Sequence, residues 1–336
     1  MTSDAGNMPN SPPLLWTDVP LHADTLDVLQ GRVRLSGPDI PTAHAANPAF
    51  EFEAADAAIV GTRLLYDAAA FARAPRLKII ARTGIGYDNI DVPAASAAGV
   101  CVVNTPEAPT ESTAEFAIAL MFAVARRIAV ADHNSKAGQW TRNPTVMGFD
   151  LADKTLGLVG FGRIARRVAE IARAIRMRVC AYDPFVAPSA ITQAGAVACD
   201  TLAEMLARAQ VLSLHVPLTA ATHRLIGAEQ IALLPHGAVL INTARGPLID
   251  EAAVLAALES GHLAGAGIDV WGKEPAASDH LLLRHLKVVA TPHMAAYTDE
   301  GRRRSHLAAA EHVLATLRGD PPATLIDPAM WPRRRK

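Results

Sequence analysis

The chain has 336 residues, of which 50% are hydrophobic, and its formal net charge is −1 at pH 7. This length fits two domains, and the balanced charge gives no reason to expect nucleic acid or an anionic membrane as a partner. The three cysteines, Cys101, Cys180 and Cys199, are far apart in the sequence. Their number and spacing argue against a disulfide framework or a zinc site and are typical of a reducing compartment.

Residues 1–13 are polar and proline-rich, without the basic start and apolar stretch of a signal peptide. The most apolar segment, residues 116–125, is too short to span a bilayer. We therefore expect a soluble, cytoplasmic protein. Two basic clusters, at residues 302–304 and 333–336, are expected to be a solvated helix face and a frayed tail.

Short apolar runs alternate with helical, alanine-rich stretches through the first hundred residues. This alternation predicts a parallel sheet with helices on both faces. The predicted strands cover residues 14–16, 57–60, 78–81 and 100–103.

A turn-rich break at residues 104–109 precedes a helix predicted over residues 113–131, with Thr110, Ser112 and Thr113 as candidate caps. Because this helix is apolar almost all round before Arg126, we expect it to be buried in the core or in a subunit interface.

A second α/β run begins near Lys154, with a helix predicted over residues 163–175. A final helix, over residues 299–317, is expected to pack back on the first domain. The predicted strands cover residues 155–160, 178–183, 211–215, 238–242, 265–269 and 287–290.

The motif G-x-G-x-x-A lies between a predicted strand and a predicted helix, at Gly160, Gly162 and Ala165. The first glycine permits a tight turn, the second allows close approach of a pyrophosphate, and the small third residue lets the helix pack on the strand. Asp183 ends the next strand, where its carboxylate can accept hydrogen bonds from the ribose hydroxyls and repel a 2′-phosphate. The pattern predicts a dinucleotide site that favours NAD over NADP.

Three polar side chains follow the later strands: Arg245, Glu274 and His293. Ligands of open α/β sheets bind outside the carboxyl ends of the strands, so these side chains should converge near the nicotinamide. Histidine is suited to protonate the alkoxide formed by ketone reduction, and a glutamate can fix its tautomer. The arginine can clamp a carboxylate and polarise a carbonyl. We therefore predict a dehydrogenase acting at C2 of a small 2-oxo or 2-hydroxy acid, with no metal site.

The sequence resembles the D-isomer-specific 2-hydroxyacid dehydrogenases over nearly its whole length, most closely the branches similar to phosphoglycerate dehydrogenase and to hydroxypyruvate/glyoxylate reductase. The segments that carry this resemblance are LKIIARTGIGYDNIDV (77–92), NTPEAPTESTAEFAIALM (104–121), GLVGFGRIA (157–165), HVPLT (215–219), NTARGPLID (242–250), GIDVWGKEP (267–275) and TPHMAAYT (291–298).

The resemblance implies an α/β fold with two Rossmann-like domains. A smaller, flavodoxin-like substrate-binding domain would comprise residues 1–104 and 296–336. A doubly wound NAD-binding domain would comprise residues 105–295. The helix near residues 113–131 would be a dimerisation element, which implies a homodimer.

The resemblance also implies roles for single residues. Arg245, Glu274 and His293 match the catalytic residues, and the backbone of residues 84–86 matches the loop that holds the substrate carboxylate. Asp269 matches a residue near the nicotinamide carboxamide. The cofactor-binding residues expected from the motif and the resemblance are Gly160, Gly162, Arg163, Ile164, Asp183, His215, Val216, Pro217, Thr243, Asp269 and Thr113. The substrate-binding residues expected are Gly84, Ile85, Gly86 and Arg82.

Other functions stay open. A non-catalytic NAD(H)-sensing protein of the same fold would need an exposed docking surface for a partner, while a methyltransferase would have no need for the Arg, Glu and His set. The substrate is also open among hydroxypyruvate, glyoxylate and 3-phosphoglycerate, and Arg82 could meet a second anionic group. No ACT-like regulatory domain follows residue 330, so serine feedback control is not expected.

Overall fold

The structure is a computed structural model that describes residues 11–37, 50–140 and 147–336. Residues 1–10, which carry most of the signal-peptide argument, lie outside the described residues. The chain divides into two compact units: unit 1 comprises residues 1–109 and 298–336, and unit 2 comprises residues 110–297. No helix among the described residues is long and apolar enough to cross a membrane.

Unit 1 contains a parallel five-stranded sheet in the order β2-β1-β3-β4-β5, which is the flavodoxin-like order. Its central strands are buried on both faces, so helices must cover both sides of the sheet. The strands are β1 (Leu14–Thr17), β2 (Arg34–Ser36), β3 (Ala57–Val60), β4 (Ile79–Arg82) and β5 (Cys101–Asn104). The helices, numbered in chain order, are α1 (Ala23–Leu29), α2 (Ala68–Arg73), α3 (Val92–Ala97) and α12 (Asp299–Arg318).

Unit 2 contains a parallel seven-stranded sheet in the order β12-β11-β10-β9-β6-β7-β8. The strands that follow β6 lie on one side of it up to β8 and on its other side from β9 onwards. Open α/β sheets bind ligands at such a switch point in the strand order. The strands are β6 (Thr155–Val159), β7 (Arg178–Tyr182), β8 (Val197–Ala198), β9 (Val211–Leu214), β10 (Ala238–Asn242), β11 (Leu263–Ile268) and β12 (Val288–Ala290). The helices are α4 (Thr110–Ala125), α5 (Ile128–Lys136), α6 (Arg163–Ala174), α7 (Pro188–Gln193), α8 (Leu202–Arg208), α9 (Ala228–Ala232), α10 (Glu251–Glu259) and α11 (Leu281–Arg284). These two parallel sheets confirm the predicted fold class.

The single helix predicted over residues 113–131 is wrong. The structure has two helices, α4 and α5, because Arg127 has a left-handed backbone (φ 55°) that ends the first and begins the second. Their surroundings also differ, since α4 is buried along much of its length whereas α5 has no buried residue.

The first basic cluster lies on an exposed face of α12, and two of its side chains also contact loops of unit 1. The Arg302 guanidinium donates to the Pro20 carbonyl at 2.9 Å, and Arg304 donates to the Ala108 carbonyl at 3.0 Å. Residues 302–304 therefore form the expected solvated helix face, and their guanidinium groups also tie α12 to the loops of unit 1.

The second basic cluster is not a frayed tail. The Arg335 guanidinium donates to the carbonyls of Ala74 and Leu77 at 2.6 and 3.0 Å, which caps the end of α2. The Arg334 guanidinium lies 3.8 Å from the centre of the Trp331 ring. The tail is thus docked on unit 1.

A buried histidine makes unit 1 sensitive to acid. Burial, with the nearby charges of Arg302 and His22, lowers the pKa of His306 from 6.5 to about 4. The His306 Nδ1 atom accepts a hydrogen bond from the His22 backbone N–H at 3.0 Å, so this nitrogen must be unprotonated.

The His306 ring binds a proton below about pH 6.5 in the unfolded chain, but only near pH 4 in the folded chain. The contribution of neutral His306 to the free energy of unfolding is therefore complete above pH 6.5. It is lost as the pH falls towards 4. We expect His306 to make the chain about 2 kcal/mol less stable at pH 5 than at pH 7.5. In urea unfolding, His306→Asn should lose this part of the pH dependence, because the amide oxygen accepts from His22 without titrating. His133→Asn, at an exposed position, is the control. An unchanged pH dependence in His306→Asn would contradict the assignment.

Candidate active site

The glycine-rich turn of unit 2 links β6 to α6. Gly160 has a φ of 88°, and a Cβ atom there would lie 2.7 Å from the His215 carbonyl oxygen, so only glycine fits. Gly162 is the N-cap of α6 and has open space where a Cβ would be. No side chain caps this helix, so the N–H groups of its first turn remain directed at any anion placed there.

Asp183 follows β7 and lies beside this turn. Its two carboxylate oxygens accept hydrogen bonds from the backbone N–H groups of Phe161 and Phe185, each at 2.8 Å. Each oxygen can still accept another hydrogen bond. The carboxylate therefore holds the glycine-rich turn in place and is available to a pair of ribose hydroxyls.

His215 follows β9 and faces the same turn. Its Nε2 atom lies 2.9 Å from the hydroxyl of the fully buried Ser213. Burial lowers the pKa of His215 to about 4, so the ring is neutral at physiological pH. Val216 follows, and a Cβ atom at Gly160 would lie 2.8 Å from its Cγ1. The side of the turn formed by His215 and Val216 is thus uncharged, whereas Asp183 lies beside the turn with its carboxylate.

These features fit NAD. The open space at Gly162 and the uncapped start of α6 suit a pyrophosphate, and the Asp183 carboxylate suits a ribose without a 2′-phosphate. Thr243, after β10, has a buried hydroxyl without a hydrogen-bond partner among the described residues. Such an orphan hydroxyl is expected where a ligand completes the site.

Arg245 is placed by the turn that follows β10. The fully buried Asn242 shapes that turn: its amide nitrogen donates to the Arg245 carbonyl at 2.9 Å, and its oxygen accepts from the Ala244 N–H at 3.1 Å. The Arg245 guanidinium is half-buried and donates to the Ala244 carbonyl at 2.6 Å. Asn242 was not among the predicted site residues, although an asparagine at a strand end is typical of an Asx turn.

Glu274 and His293 form a hydrogen-bonded pair. The His293 Nδ1 atom lies 2.7 Å from Glu274 Oε2, and the two side chains are 32% and 36% exposed. Because a carboxylate accepts, Nδ1 carries the proton, which leaves Nε2 as the atom that exchanges a proton with a substrate. His293 also has a left-handed backbone (φ 53°), uncommon outside glycine and found disproportionately at functional sites.

The charge of Glu274 is maintained by its neighbours. Burial opposes ionisation, but the hydrogen bond and charge of His293, the Trp271 N–H and the charge of Arg245 outweigh it. They hold the pKa of the Glu274 carboxyl below its ordinary range. The charges of Arg245 and His293 therefore both act on the Glu274 carboxylate in unit 2.

Asp269 organises the loop that carries His293. It is fully buried, and its carboxylate accepts hydrogen bonds from the Thr291 hydroxyl at 2.6 Å and from the N–H groups of Met294 and Ala295 at 2.9 Å each. The Asp269 carbonyl accepts from the His293 N–H at 2.7 Å. This accounts for its burial, while contact with a nicotinamide stays a prediction.

The substrate loop predicted at residues 84–86 follows β4 in unit 1. The Gly84 carbonyl accepts from the Thr105 N–H at 3.0 Å, and the Ile85 carbonyl accepts from the Asn104 side chain at 2.7 Å. The end of β5 takes up these carbonyl groups, and the Gly84 N–H donates to the Arg82 carbonyl at 3.0 Å. The N–H groups of Ile85 and Gly86 are therefore the atoms of the loop that an anion would use.

Arg82 supports this loop from within unit 1. It is only 7% exposed, its guanidinium donates to the Thr83 carbonyl, and its charge acts on the buried carboxyl of Asp18. Burial raises the pKa of Asp18, against the opposing effects of the Gly61 N–H, the Tyr66 hydroxyl and the Arg82 charge. Contact of Arg82 with a second anionic group of the substrate stays a prediction.

The remaining predicted residues occupy three places in unit 2. Arg163 and Ile164 open α6, Pro217 follows β9, and Thr113 lies buried in the first turns of α4 rather than at a strand end. Their contact with a cofactor stays a prediction. No group of three or more histidine, cysteine or acidic side chains that could hold a metal ion occurs in the part of the chain that the structure describes.

Residues 118–295 match the NAD binding domain of the D-isomer specific 2-hydroxyacid dehydrogenases. The chain is 38% identical over 310 residues to the D-3-phosphoglycerate dehydrogenase of Methanocaldococcus jannaschii, covering 91% of this chain and 58% of that protein. It is 41% identical over 264 residues to the glyoxylate reductase of Korarchaeum cryptofilum, covering 78% of this chain and 79% of that one.

The fold is similar to that of the D-lactate dehydrogenase of Aquifex aeolicus, solved with NAD and lactic acid. The TM-score is 0.79 at 30% identity, over 91% of this chain and 96% of that one. The chain belongs to the D-isomer specific 2-hydroxyacid dehydrogenase family. It spans between half and three fifths of the phosphoglycerate dehydrogenases of Methanocaldococcus jannaschii (58%) and Mycobacterium leprae (54%).

Proposed function

We propose that this protein is an NAD-dependent dehydrogenase that interconverts a small 2-oxo acid and the corresponding D-2-hydroxy acid. The observation that carries the proposal is the pair formed by His293 Nδ1 and Glu274 Oε2 at 2.7 Å, with the charge of Arg245 acting on the same carboxylate. An acid–base histidine oriented by a carboxylate beside a cationic fork is what the reduction of a 2-oxo acid requires.

His293 supplies the proton in this reaction. NAD, when bound in its reduced form, provides the hydride that adds to C2. The C2 oxygen then takes the Nε2 proton of His293 in its doubly protonated form, and the Nδ1 proton stays with Glu274, so the ring becomes neutral. In the reverse direction, Nε2 accepts the proton from the 2-hydroxyl group. Glu274 keeps the ring in the productive orientation and balances its positive charge.

Arg245 orients the substrate. Its planar fork can bind the carboxylate and the C2 oxygen together, which polarises the carbonyl and fixes C2 in place. In unit 1, we propose that the loop at residues 84–86 binds the substrate carboxylate through the N–H groups of Ile85 and Gly86. Unit 1 is thus proposed as the substrate-binding domain, and unit 2 as the catalytic and NAD-binding domain.

The proposed substrates are glyoxylate, hydroxypyruvate and the phosphorylated 2-oxo acid derived from 3-phosphoglycerate. Relatives named D-3-phosphoglycerate dehydrogenase and glyoxylate reductase support this class.

We expect Asp183 to select NADH over NADPH. In Asp183→Asn, one oxygen still accepts from the backbone but the charge that repels a 2′-phosphate is gone. The preference for NADH, as the ratio of kcat/KM values, should fall by about tenfold, which corresponds to about 1.4 kcal/mol. Asp200→Asn, at an exposed site beyond β8, should keep the wild-type ratio. An unchanged ratio in Asp183→Asn would show that another residue selects the cofactor.

We also propose a homodimer. Three large apolar side chains on α5 or after it are exposed: Ile128 is 51% exposed, Trp140 88% and Met147 72%. Exposed apolar groups on one part of a chain are typical of a surface that a second copy covers. Sedimentation equilibrium of the full chain should give the dimer mass, and a monomer at micromolar concentration would contradict this proposal.

The function is tested by following NADH absorbance with purified protein and a panel of 2-oxo acids: glyoxylate, hydroxypyruvate, pyruvate, a branched 2-oxo acid and phosphohydroxypyruvate. Turnover with at least one acid supports the proposal and identifies the substrate class. NADH binding without any turnover would favour the non-catalytic sensor instead.

A further inference from the structure

Trp271 lies at the centre of the catalytic loops of unit 2. It follows β11 by three positions and is only 5% exposed. Its backbone N–H donates to Glu274 Oε1 at 3.0 Å, and its indole Nε1–H donates to the Thr291 carbonyl at 3.1 Å. Thr291 precedes His293 by two positions. The Trp271 backbone thus binds Glu274, and the Trp271 indole binds the loop that carries His293.

The loop of Arg245 meets the same residue. A Cβ atom at Gly246, directly after Arg245, would collide with the Trp271 carbonyl group and lie 2.5 Å from the Gly272 nitrogen. The absence of a side chain at Gly246 lets the two backbones touch. The turns after β10, β11 and β12 therefore all contact Trp271.

Trp271 is itself held by α10. Glu251, the first residue of that helix, accepts a hydrogen bond from the Gly272 N–H at 2.9 Å, and its other oxygen lies 3.1 Å from His280 Nε2. The His280 ring packs edge-on against the Trp271 ring, with 5.4 Å between the ring centres. Glu251 and His280 thus hold Trp271 in place: Glu251 binds the peptide after it, and the His280 ring packs against its indole ring.

We propose that Trp271 is a positioning residue that sets the distance between the Glu274 carboxylate and the His293 ring. It acts by joining the loops that carry them, and Glu251 and His280 hold it in place. The role rests on the proposed function, because a fixed acid–base pair matters only where protons are transferred. Catalytic groups lose much of their effect when their supports let them move by a fraction of an ångström.

The test is Trp271→Phe, which removes the indole N–H and keeps an aromatic ring. We expect kcat to fall about tenfold with the NADH dissociation constant unchanged. The melting temperature should fall, because a buried hydrogen bond and part of a buried side chain are lost. The isotope effect on kcat with 4-deuterated NADH should increase, because slower chemistry becomes more rate-limiting. The matched control is Trp16→Phe in unit 1. Trp16 is 2% exposed, and its Nε1 has no hydrogen-bond partner among the described residues.

A second readout needs no turnover. The Nδ1 proton that His293 shares with Glu274 should give a low-field NMR resonance in the protein without substrate, assigned by its loss in His293→Asn. We expect this resonance to shift or broaden in Trp271→Phe and to stay unchanged in Trp16→Phe. If Trp271→Phe does not fold, Glu251→Ala should produce the same change in resonance and isotope effect.

Wild-type kcat, isotope effect and resonance in folded Trp271→Phe would overturn the positioning role while leaving the proposed function intact. Failure of the unmodified chain to reduce any 2-oxo acid would instead overturn the proposed function, and the catalytic significance of Trp271 with it.

Discussion

Replacing His293 by alanine is expected to reduce kcat by about 10²- to 10⁴-fold, because the loss of a positioned general acid has effects of this size. The imidazole is the only group proposed here to deliver a proton to the C2 oxygen. NADH binding should be unaffected, since the turn at Gly160 and the carboxylate of Asp183 are untouched. Stopped-flow or steady-state kinetics with the best 2-oxo acid, together with a fluorescence titration of NADH, measure both quantities.

The backbone at residue 293 requires a second variant. Because φ is 53°, alanine would be strained there, whereas asparagine tolerates this region better. His293→Asn should therefore lose turnover as fully as His293→Ala without the backbone strain. His223→Ala, at an exposed position, is the control and should keep wild-type kcat. Loss of NADH binding in His293→Asn would contradict the assigned role, because it would place His293 in the cofactor site.

Replacing Arg245 by alanine is expected to reduce kcat/KM for the 2-oxo acid by about 10²- to 10³-fold, the usual cost of removing one partner of a hydrogen-bonded charge pair. Arg245→Lys should recover only a small part, since an ammonium group cannot bind a carboxylate and a carbonyl oxygen as a fork does. NADH binding should persist in both variants.

Arg224→Lys provides the matched control for Arg245→Lys. Arg224 is also in unit 2, but its guanidinium is 66% exposed and lies 3.7 Å from Asp250 rather than beside Glu274. The control should keep wild-type kinetics. Full activity in Arg245→Lys would show that only a positive charge is needed, which would contradict bidentate binding of the substrate.

Most of the strands could be predicted from the hydrophobic pattern of the sequence. Strand β3 and strand β10 have the bounds that their apolar runs predict, because buried parallel strands are short and continuously hydrophobic. Strands β2 and β8 were not predicted. They have three and two residues, and no side chain of either is fully buried, so no apolar pattern marks them. The break between α4 and α5 depends on a left-handed arginine, which no residue type in that segment indicates.

Some contacts of the candidate site could also be predicted from the sequence, and others could not. The pairing of Glu274 with His293 was predicted because both follow neighbouring strands and their chemistry is complementary. The role of Trp271 was not predicted, because a tryptophan next to a strand is usually part of the hydrophobic core. Its two hydrogen bonds depend on how three loops pack together. The contacts of residues 302–304 and of Arg335 were also missed, because charged clusters carry no sequence signal for the carbonyl groups that they meet.

The most direct test of the central proposal follows the label in the reaction itself. Reduced NAD carrying deuterium at the transferable C4 position is incubated with the protein and the best 2-oxo acid, and the product is analysed by NMR and chiral chromatography. Deuterium at C2 of a D-2-hydroxy acid is the predicted result. An L-product would contradict the proposed stereochemistry. Absence of deuterium at C2 would contradict hydride transfer from the cofactor, and with it the proposed function.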